Sequence, residues 1–200
     1  VRNRIDPTPI NLIDLYILTA DYATDYLNWL KDLTGSVTEP TPPTSSSLEI
    51  AYSTLNDFKA VSDTMIYNPA KFKPLFGNKA SSELQATFKV VKNAAVNTSD
   101  SEIKAQVLAG INSYFDTTNW DFGETFYFSE LAAYLHMQLT PNISSIIIVP
   151  ANNAESFGSL MQVNCNINEV ITSAATVDNV KIITAITAAQ INQAGAVVIS

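Results

Sequence analysis

The sequence predicts an α+β protein with mixed small sheets and packed helices, and three observations support this. Residues 84–92 alternate apolar and polar side chains as a half-buried strand does. Residues 102–115 carry apolar side chains along one helical face. From Met161 onward the chain is rich in β-formers and turn residues. Because 46% of the 200 residues are hydrophobic, the chain can build a core, which excludes global disorder.

The chain begins with a predicted strand and a predicted helix. Residues 11–19 are rich in β-formers and predict a largely buried strand. Asp21 then stands where a helix N-cap belongs, and Gly35 supplies a stop. Between them, apolar residues recur at the spacing of one helical face: Tyr22, Tyr26, Trp29, Leu30 and Leu33.

A segment rich in proline and serine, residues 36–47, predicts a surface loop or linker, because its three prolines and four serines exclude regular structure. We interpret it as a tolerated insertion. Ser47 is predicted to cap a long helix over 48–65, whose apolar stripe drifts somewhat. Pro74 and Gly77 then predict a short, turn-rich hairpin.

Residues 84–150 predict a strand–helix–helix–strand unit. The strand at 84–92 is followed by a helix over 102–115, for which Thr98 or Ser99 is the N-cap. An aromatic loop at 117–123 leads to a second helix.

That second helix is predicted to open at Glu124 or Thr125 and to end near Leu139, before Pro141. Residues 144–150 then predict a buried strand. We expect the two strands of the unit to pair in one sheet, with both helices on one face.

The last fifty residues predict a β-rich segment. Three strand patterns follow Met161, at 161–167, 169–177 and 180–186, and residues 185–193 predict a short closing helix. We therefore divide the chain into a strand-plus-helical part at 1–82, the strand–helix–helix–strand unit at 83–150, and the β-rich segment at 151–200.

Charge is sparse and uneven. Only 15% of residues are charged, against about 25% in a typical soluble domain, which indicates that some surface is covered by a partner. Residues 1–104 hold 10 basic and 12 acidic residues, whereas 105–200 hold seven acidic residues and one basic residue, Lys181. Because an acidic half repels phosphate, nucleic-acid binding there is disfavoured, and a basic protein partner is favoured.

Three features of the sequence bear on the cellular compartment: the single cysteine, the length of the apolar runs and the N-terminus. Cys165 excludes an intrachain disulfide framework and fits a reducing compartment. No apolar run approaches the ~20 residues that span a bilayer. The N-terminus, VRNR, lacks an initiator Met and a signal sequence, so we interpret the chain as a fragment of something longer.

Residues for catalysis are few. His136 is the only histidine and lies in an apolar helical stretch with no serine or cysteine motif to serve. One histidine and one cysteine cannot build a zinc site without unusual carboxylate help, and the six glycines are too scattered for a phosphate-binding loop. We therefore predict no catalytic residue, no cofactor and no metal.

Two carboxylate pairs stay open as alternatives. Glu124 with Glu130, or Asp116 with Asp121, have a spacing that a hydrolase can use, although such pairs more often form caps and solvated faces. The sequence does not show whether either pair converges on one substrate bond.

An aromatic cluster is the most distinctive feature of the chain. Aromatic residues crowd the loop and the second helix, and we select five as partner-interface or core anchors: Trp120, Phe122, Phe126, Tyr127 and Tyr134. The helix carries apolar surface on more than one face, so it is either buried within its own domain or docks another chain.

Residues 99–150, with 63–77 and 11–19 upstream, resemble the baseplate wedge protein of T-even-type contractile-tailed bacteriophages. More distantly, they are similar to the baseplate J-like proteins of other contractile injection systems. The shared pattern is a strand at 87–92, a helix ending in Tyr-Phe, a Trp-x-Phe-Gly turn at 120–123, a second helix and a strand at 146–149. The resemblance covers most of the chain as the C-terminal part of such a protein, and fades at 36–47 and past about 185.

The resemblance implies a structural role in the virion. Such proteins form an inner ring around the tail hub, two copies intertwine with a longer wedge protein, and the ring rearranges on sheath contraction. It implies a location in the tail baseplate, assembled in the host cytoplasm. Its implied partners are other copies of the chain and other baseplate wedge proteins, with no nucleic acid, membrane or small-molecule substrate. The family has no known active site, so no catalytic residue is carried over.

Two other function classes remain as alternatives. A tail-associated peptidoglycan-cleaving module would use acidic residues such as Glu124 and Glu130. A glycan-binding module would use an exposed Trp29 or Trp120 as a stacking platform for a sugar ring.

Overall fold

The structure, a computed structural model, describes residues 11–59, 63–151, 157, 161–186 and 197–199. It confirms the α+β class: helices and small sheets are mixed along the chain. The chain divides into two compact units, Val1–Lys71 and Phe72–Ser200, called unit 1 and unit 2 below. These limits differ from the predicted segments, since strands from beyond residue 151 pair inside unit 2 with strands from 83–150. Within the described ranges, every helix is too short or too polar to cross a membrane.

Unit 1 is a small two-stranded sheet with helices. Its elements are β1 (Leu12–Ile17), α1 (Ala20–Lys31), α2 (Ser45–Ala51), a 3-10 helix (Ser53–Phe58) and β2 (Thr64–Pro69). The strands β1 and β2 run parallel, with Leu12 opposite Thr64. The large buried side chains of this unit come from both helices and from β2: Tyr22, Tyr26, Leu30, Leu48 and Tyr67.

The first strand and helix are confirmed, with two corrections. The strand β1 is not largely buried, because its outward residues face solvent and Leu12 is 66% exposed. The N-cap of α1 is Thr19 rather than Asp21, which lies in the first turn, and Leu33 is exposed beyond the helix end.

The long helix expected over 48–65 is wrong. A short helix begins already at Ser45, capped by Thr44, whose side chain accepts a hydrogen bond from the Ser47 amide. It ends at Ala51, a 3-10 turn follows, and Met65 lies on β2. The predicted loop therefore ends before residue 45. The helical spacing of apolar residues did not predict the secondary structure here, because residues 64–69 pair with β1 as a strand.

Unit 2 is built around a four-stranded sheet ordered β10–β6–β4–β9. Its strands and helices are β3 (Lys71–Leu75), β4 (Ala86–Lys92), α3 (Asp100–Tyr114), β5 (Thr125–Tyr127), α4 (Phe128–Leu139), β6 (Ile143–Pro150), β7 (Gln162–Asn164), β8 (Glu169–Ser173), β9 (Val180–Ile183) and β10 (Val197–Ile199). Two 3-10 helices, Ser82–Leu84 and Val177–Asn179, lie between them. Smaller two-stranded sheets pair β3 with β8 and β5 with β7.

The strand–helix–helix–strand prediction is confirmed in its main points. The strands β4 and β6 pair antiparallel, with Phe88 opposite Ile148. Alternate residues of both strands point to one core, which also receives the buried faces of α3 and α4. Both helices therefore cover the same face of the sheet. The N-cap of α3 is Ser99, whose hydroxyl accepts from the Glu102 amide at 3.2 Å.

Two details of this unit differ from expectation. Residues 125–127 form the strand β5 instead of the start of the second helix, because they pair antiparallel with β7, from Thr125 opposite Asn164 to Tyr127 opposite Gln162. The helix α4 therefore begins at Phe128. Residues 71–75 form a strand paired with β8 instead of a local hairpin. The three predicted C-terminal strands are present, and the closing helix expected at 185–193 lies almost entirely outside the described residues.

Phe76 lies at the centre of the unit 2 core. Its ring contacts those of Phe88, Phe115, Phe126 and Phe128 edge-on, with centroids 5.0 to 6.1 Å apart. Its backbone has φ 80°, in the left-handed region, which costs an ordinary residue about 1–2 kcal/mol. The aromatic contacts offset that strain.

The neighbouring Gly77 is required for a different reason. A Cβ at this position would overlap the backbone carbonyl oxygen of Ala174. The turn after β3 and the end of β8 can approach each other only because residue 77 has no side chain.

Candidate functional site

The structure separates the five predicted anchor residues by burial. Phe126 is fully buried and belongs to the core. Trp120 and Tyr134 are partly buried and pack against that core. Phe122 and Tyr127 are 39% and 40% exposed. The set therefore runs from the core to the surface, and its outer members are available to a partner.

The loop after α3 is held by local hydrogen bonds. Asp116 accepts from the hydroxyl and the amide of Thr118, at 2.6 and 2.9 Å, and these bonds lower the pKa of the Asp116 carboxyl. The Asn119 side chain donates to the Ser113 carbonyl at 3.0 Å. The Trp120 indole N–H donates to the Tyr114 carbonyl at 2.9 Å. Trp120 is therefore tied to the end of α3.

The same loop is attached to the β-rich segment. Gly123 has φ 73°, in the left-handed region that favours glycine, and its amide donates to the Glu169 carbonyl at 3.0 Å. The Asp121 amide donates to a Glu124 carboxylate oxygen at 2.9 Å. These bonds fix the turn that places Trp120 and Glu124 at the surface.

Aromatic rings connect the loop to both helices. Trp120 stacks on Phe115, with centroids 5.7 Å apart and an interplanar angle of 12°. Tyr114 contacts Trp120 at 5.7 Å and Tyr134 of α4 at 5.2 Å. Tyr134 and Ser113 approach through their hydroxyl oxygens at 3.4 Å. The ends of α3 and α4 and the loop between them thus share one aromatic layer.

This layer forms the floor and walls of an open groove with a volume of about 560 Å³. We call it the acidic groove. Four aromatic residues and two carboxylates give it its character, together with small polar side chains: Tyr114, Trp120, Tyr127, Tyr134, Glu124 and Glu130. Three of the five predicted anchors therefore meet here, namely Trp120, Tyr127 and Tyr134. Phe126 lies in the core, and Phe122 is not among the residues that line the groove.

The electrostatics of the acidic groove are negative. Of the described residues that line it, none is a lysine, an arginine or a histidine. Burial raises the pKa of Tyr114 to about 12, and the negative charge of the neighbouring Glu130 adds to that shift. Tyr114 therefore stays protonated and neutral at physiological pH, and the two glutamates supply the charge.

The structure brings together one of the two carboxylate pairs considered in the sequence. Glu124 and Glu130 line the same groove. Glu124 also closes the loop through the Asp121 amide. Asp116 and Asp121 instead serve the loop itself, Asp116 through its side chain and Asp121 through its backbone.

The other residues singled out from the sequence, His136, Cys165 and Trp29, make contacts within the fold or are partly buried. The His136 Nε2 atom lies 3.3 Å from the Ser144 carbonyl and joins α4 to β6. Burial raises the pKa of the Cys165 thiol to about 11, which disfavours the reactive thiolate. Trp29 packs against Tyr26, with ring centroids 5.1 Å apart. Among the described residues, no group of His, Cys, Asp and Glu has the arrangement of a metal site.

Sequence reasoning missed part of the groove. The sequence predicts Tyr114 as a buried residue at the end of its helix and Thr125 as a possible helix start, and it does not single out Ser113 or Asn119. Tyr114 and Tyr134 are twenty residues apart, and only the packing of α3 against α4 brings them together. The one signal in the sequence was the density of aromatic residues around 114–134.

Comparison with known proteins adds no family assignment, since no family model and no curated protein matches this sequence.

Proposed function

We propose that this chain is a structural component of the baseplate wedge of a contractile phage tail. In this role it contacts other copies of itself and other wedge proteins, rearranges on sheath contraction and catalyses no reaction. The family part of the proposal is supported by the residues at 11–19, 63–77 and 99–150 that resemble the T-even-type wedge protein. In unit 2 the order β4, α3, Trp-x-Phe-Gly turn, α4, β6 follows the pattern of that resemblance, with the short strand β5 inserted before α4.

The observation that carries the assembly role is the exposure of large apolar side chains. Phe58 is 84% exposed and Ile50 is 78% exposed, both in the helical segments of unit 1. Met137 on α4 is 76% exposed in unit 2. Only 15% of the residues are charged, so few charged side chains offset this exposed apolar surface. Burial against a partner would remove it from water.

The energetic argument is one of area. A standard protein interface buries about 800 Å² on each partner. At ~25 cal/mol per Å², apolar burial of that size favours association before the loss of translational and rotational freedom opposes it. In a closed ring each further contact forms intramolecularly, so weak contacts hold together and can still switch.

The test is whether the exposed apolar residues of unit 1 drive association. We expect the double variant Ile50→Ser/Phe58→Ser to lower self-association and co-assembly with wedge proteins of the same phage, measured by sedimentation equilibrium. Its unfolding free energy should change by only about 0.5 kcal/mol, because the residues are on the surface. The control is Asp57→Ser, an exposed polar residue in the same segment, which should change neither property. A wild-type chain that stays monomeric at high concentration and ignores the wedge proteins would contradict the proposal.

One observation favours the alternative of a glycan-binding or peptidoglycan-cleaving tail module. Trp120, Glu124 and Glu130 line one groove, and sugar sites combine a flat aromatic ring with carboxylates. This alternative predicts that a peptidoglycan fragment binds the acidic groove or is cleaved there.

A further inference from the structure

Among the described residues that line the acidic groove, two are carboxylates and none carries a positive charge. Glu124 and Glu130 form no ion pair with any lysine or arginine of the described residues. After position 104 the sequence supplies one basic residue, Lys181. Lys73 of β3 donates to the Asn164 carbonyl at 2.8 Å and is paired with Glu169 at 3.7 Å. The groove is therefore complementary to a cation from outside this half of the chain.

The aromatic side chains narrow the kind of cation. Tyr114, Tyr127, Tyr134 and Trp120 line the same groove as the carboxylates, and the faces of such rings attract a cation through their quadrupole. A guanidinium group is planar, weakly hydrated and carries five N–H donors. It can stack on an aromatic ring while it donates to a carboxylate, whereas an ammonium group is a compact and strongly hydrated point charge.

The groove also offers suitable acceptors in addition to the charges. The Glu124 carboxylate accepts one bond from the Asp121 amide, and a carboxylate has further lone pairs. Tyrosine hydroxyls and the small polar side chains of the rim supply neutral acceptors. A volume of about 560 Å³ is within the ~300–1,000 Å³ range of sites that take a small ligand or a short peptide segment.

We propose that the acidic groove binds an arginine side chain of a partner protein, held between the Glu124 and Glu130 carboxylates and the surrounding aromatic rings. This inference rests on the proposed function, because it requires that the chain assembles with partner proteins, and it adds a contact separate from the exposed apolar residues. It concerns a basic partner rather than a sugar. A neutral glycan can donate its hydroxyls to the two carboxylates but leaves their charges uncompensated, and an anionic glycan is repelled by them.

The test uses the full chain and a blocked tripeptide, acetyl-Gly-Arg-Gly-amide. Matched peptides carry citrulline, a neutral isostere of arginine, or lysine. Binding is followed through the Trp120 indole N–H signal in a proton–nitrogen correlation spectrum, which separates it from the second tryptophan, Trp29. We expect saturable shifts with the arginine peptide, at least tenfold weaker binding of the citrulline peptide, intermediate binding of the lysine peptide, and weakening by salt.

Variants locate the site. Glu124→Gln/Glu130→Gln should abolish arginine binding, since it removes both charges, while the glutamine at 124 can still accept from the Asp121 amide and keep the loop. The matched control is Glu49→Gln, an exposed carboxylate of unit 1, which should bind as the wild type does. Circular dichroism confirms that each variant is folded.

Several outcomes would overturn the inference. These are equal binding of the arginine and citrulline peptides, arginine binding that survives the double variant, no shift with any peptide, or saturation by a peptidoglycan disaccharide instead. Failure of the proposed function looks different, because it is read from self-association and co-assembly. If Glu124→Gln/Glu130→Gln assembles normally and the wild type does not bind the arginine peptide, the inference fails and the proposed function stands.

Discussion

The two compact units differ in the size of their hydrophobic cores. Unit 2 collects more than twenty buried residues from its helices and strands into one cluster, with Phe76 and Phe126 near the middle. Among its described residues, unit 1 buries five large side chains beside a two-stranded parallel sheet, and it leaves Phe58 and Ile50 mostly in solvent. Unit 2 therefore has the core of a self-sufficient domain, whereas unit 1 has a core of marginal size.

The comparison indicates that different residues serve stability and the proposed association. In unit 2, aromatic residues stabilise the fold, and only the outer edge of the same layer reaches the acidic groove. In unit 1, the apolar residues with the largest exposed fractions contribute little to the fold and are available for association. We expect substitutions to follow this division.

The largest effect is expected in the core of unit 2. Phe126→Ala should lower the unfolding free energy by about 3–5 kcal/mol, because it leaves a cavity between Phe76, Phe115 and Phe128. Urea unfolding measures the loss, and hydrogen exchange should show lower protection in β4 and β6 while β1 and β2 keep theirs. Equal loss of protection in unit 1 would show that the two units unfold as one.

The counterpart in unit 1 is Leu48→Ala, for which we expect a loss of about 2–4 kcal/mol. Leu48 is 1% exposed, and its helix α2 packs on β2. Because the core of unit 1 is small, this change should unfold unit 1 alone and abolish protection of the β1–β2 amides. Ile50→Ala, two residues along the same helix but 78% exposed, is the control and should be nearly neutral. A near-neutral result for Leu48→Ala would contradict the assignment of the unit 1 core.

The smallest effect is a dependence of stability on alkaline pH. The pKa of Tyr114 is raised to about 12, so the folded chain holds this phenol proton more tightly than the unfolded chain does. Its contribution is constant below the unfolded value of about 10 and is lost as the pH rises through the folded value. Burial also raises the pKa of Tyr26 in unit 1, with the same sign.

We therefore expect unfolding free energies from urea titrations to decline above about pH 10. Tyr114→Phe should reduce that decline for unit 2 and leave it unchanged for unit 1. A decline that is identical in Tyr114→Phe and in the wild type would remove Tyr114 as its cause.

Most elements of unit 2 could be read from the sequence. The alternation at Ala86, Phe88 and Val90 identified β4, and the Ser99 cap and the apolar spacing that follows identified α3. These elements are predictable because their periodicity and their caps are local properties of the chain. The density of aromatic residues also pointed to the region of the acidic groove, although not to its full set of side chains.

The predictions that were wrong concern strands that pair with segments distant in the sequence. Met65 continues the apolar spacing of the helix predicted over 48–65, yet residues 64–69 form a strand because β1, about fifty residues earlier, offers its edge. Residues 125–127 extend for the same reason, since β7 lies almost forty residues later. Backbone hydrogen bonds to a remote strand can outweigh a local preference of a few tenths of a kcal/mol per residue.

The sequence by itself determined the α+β class, the uneven negative charge and the aromatic richness of the region that forms the groove. Only the tertiary structure decided which carboxylates meet there. The packing of α3 on α4 and the hydrogen-bonded loop between them bring Glu124, Glu130 and four rings to one surface. Periodicity reports which face of a helix is buried, whereas convergence of side chains depends on how separate elements pack in three dimensions.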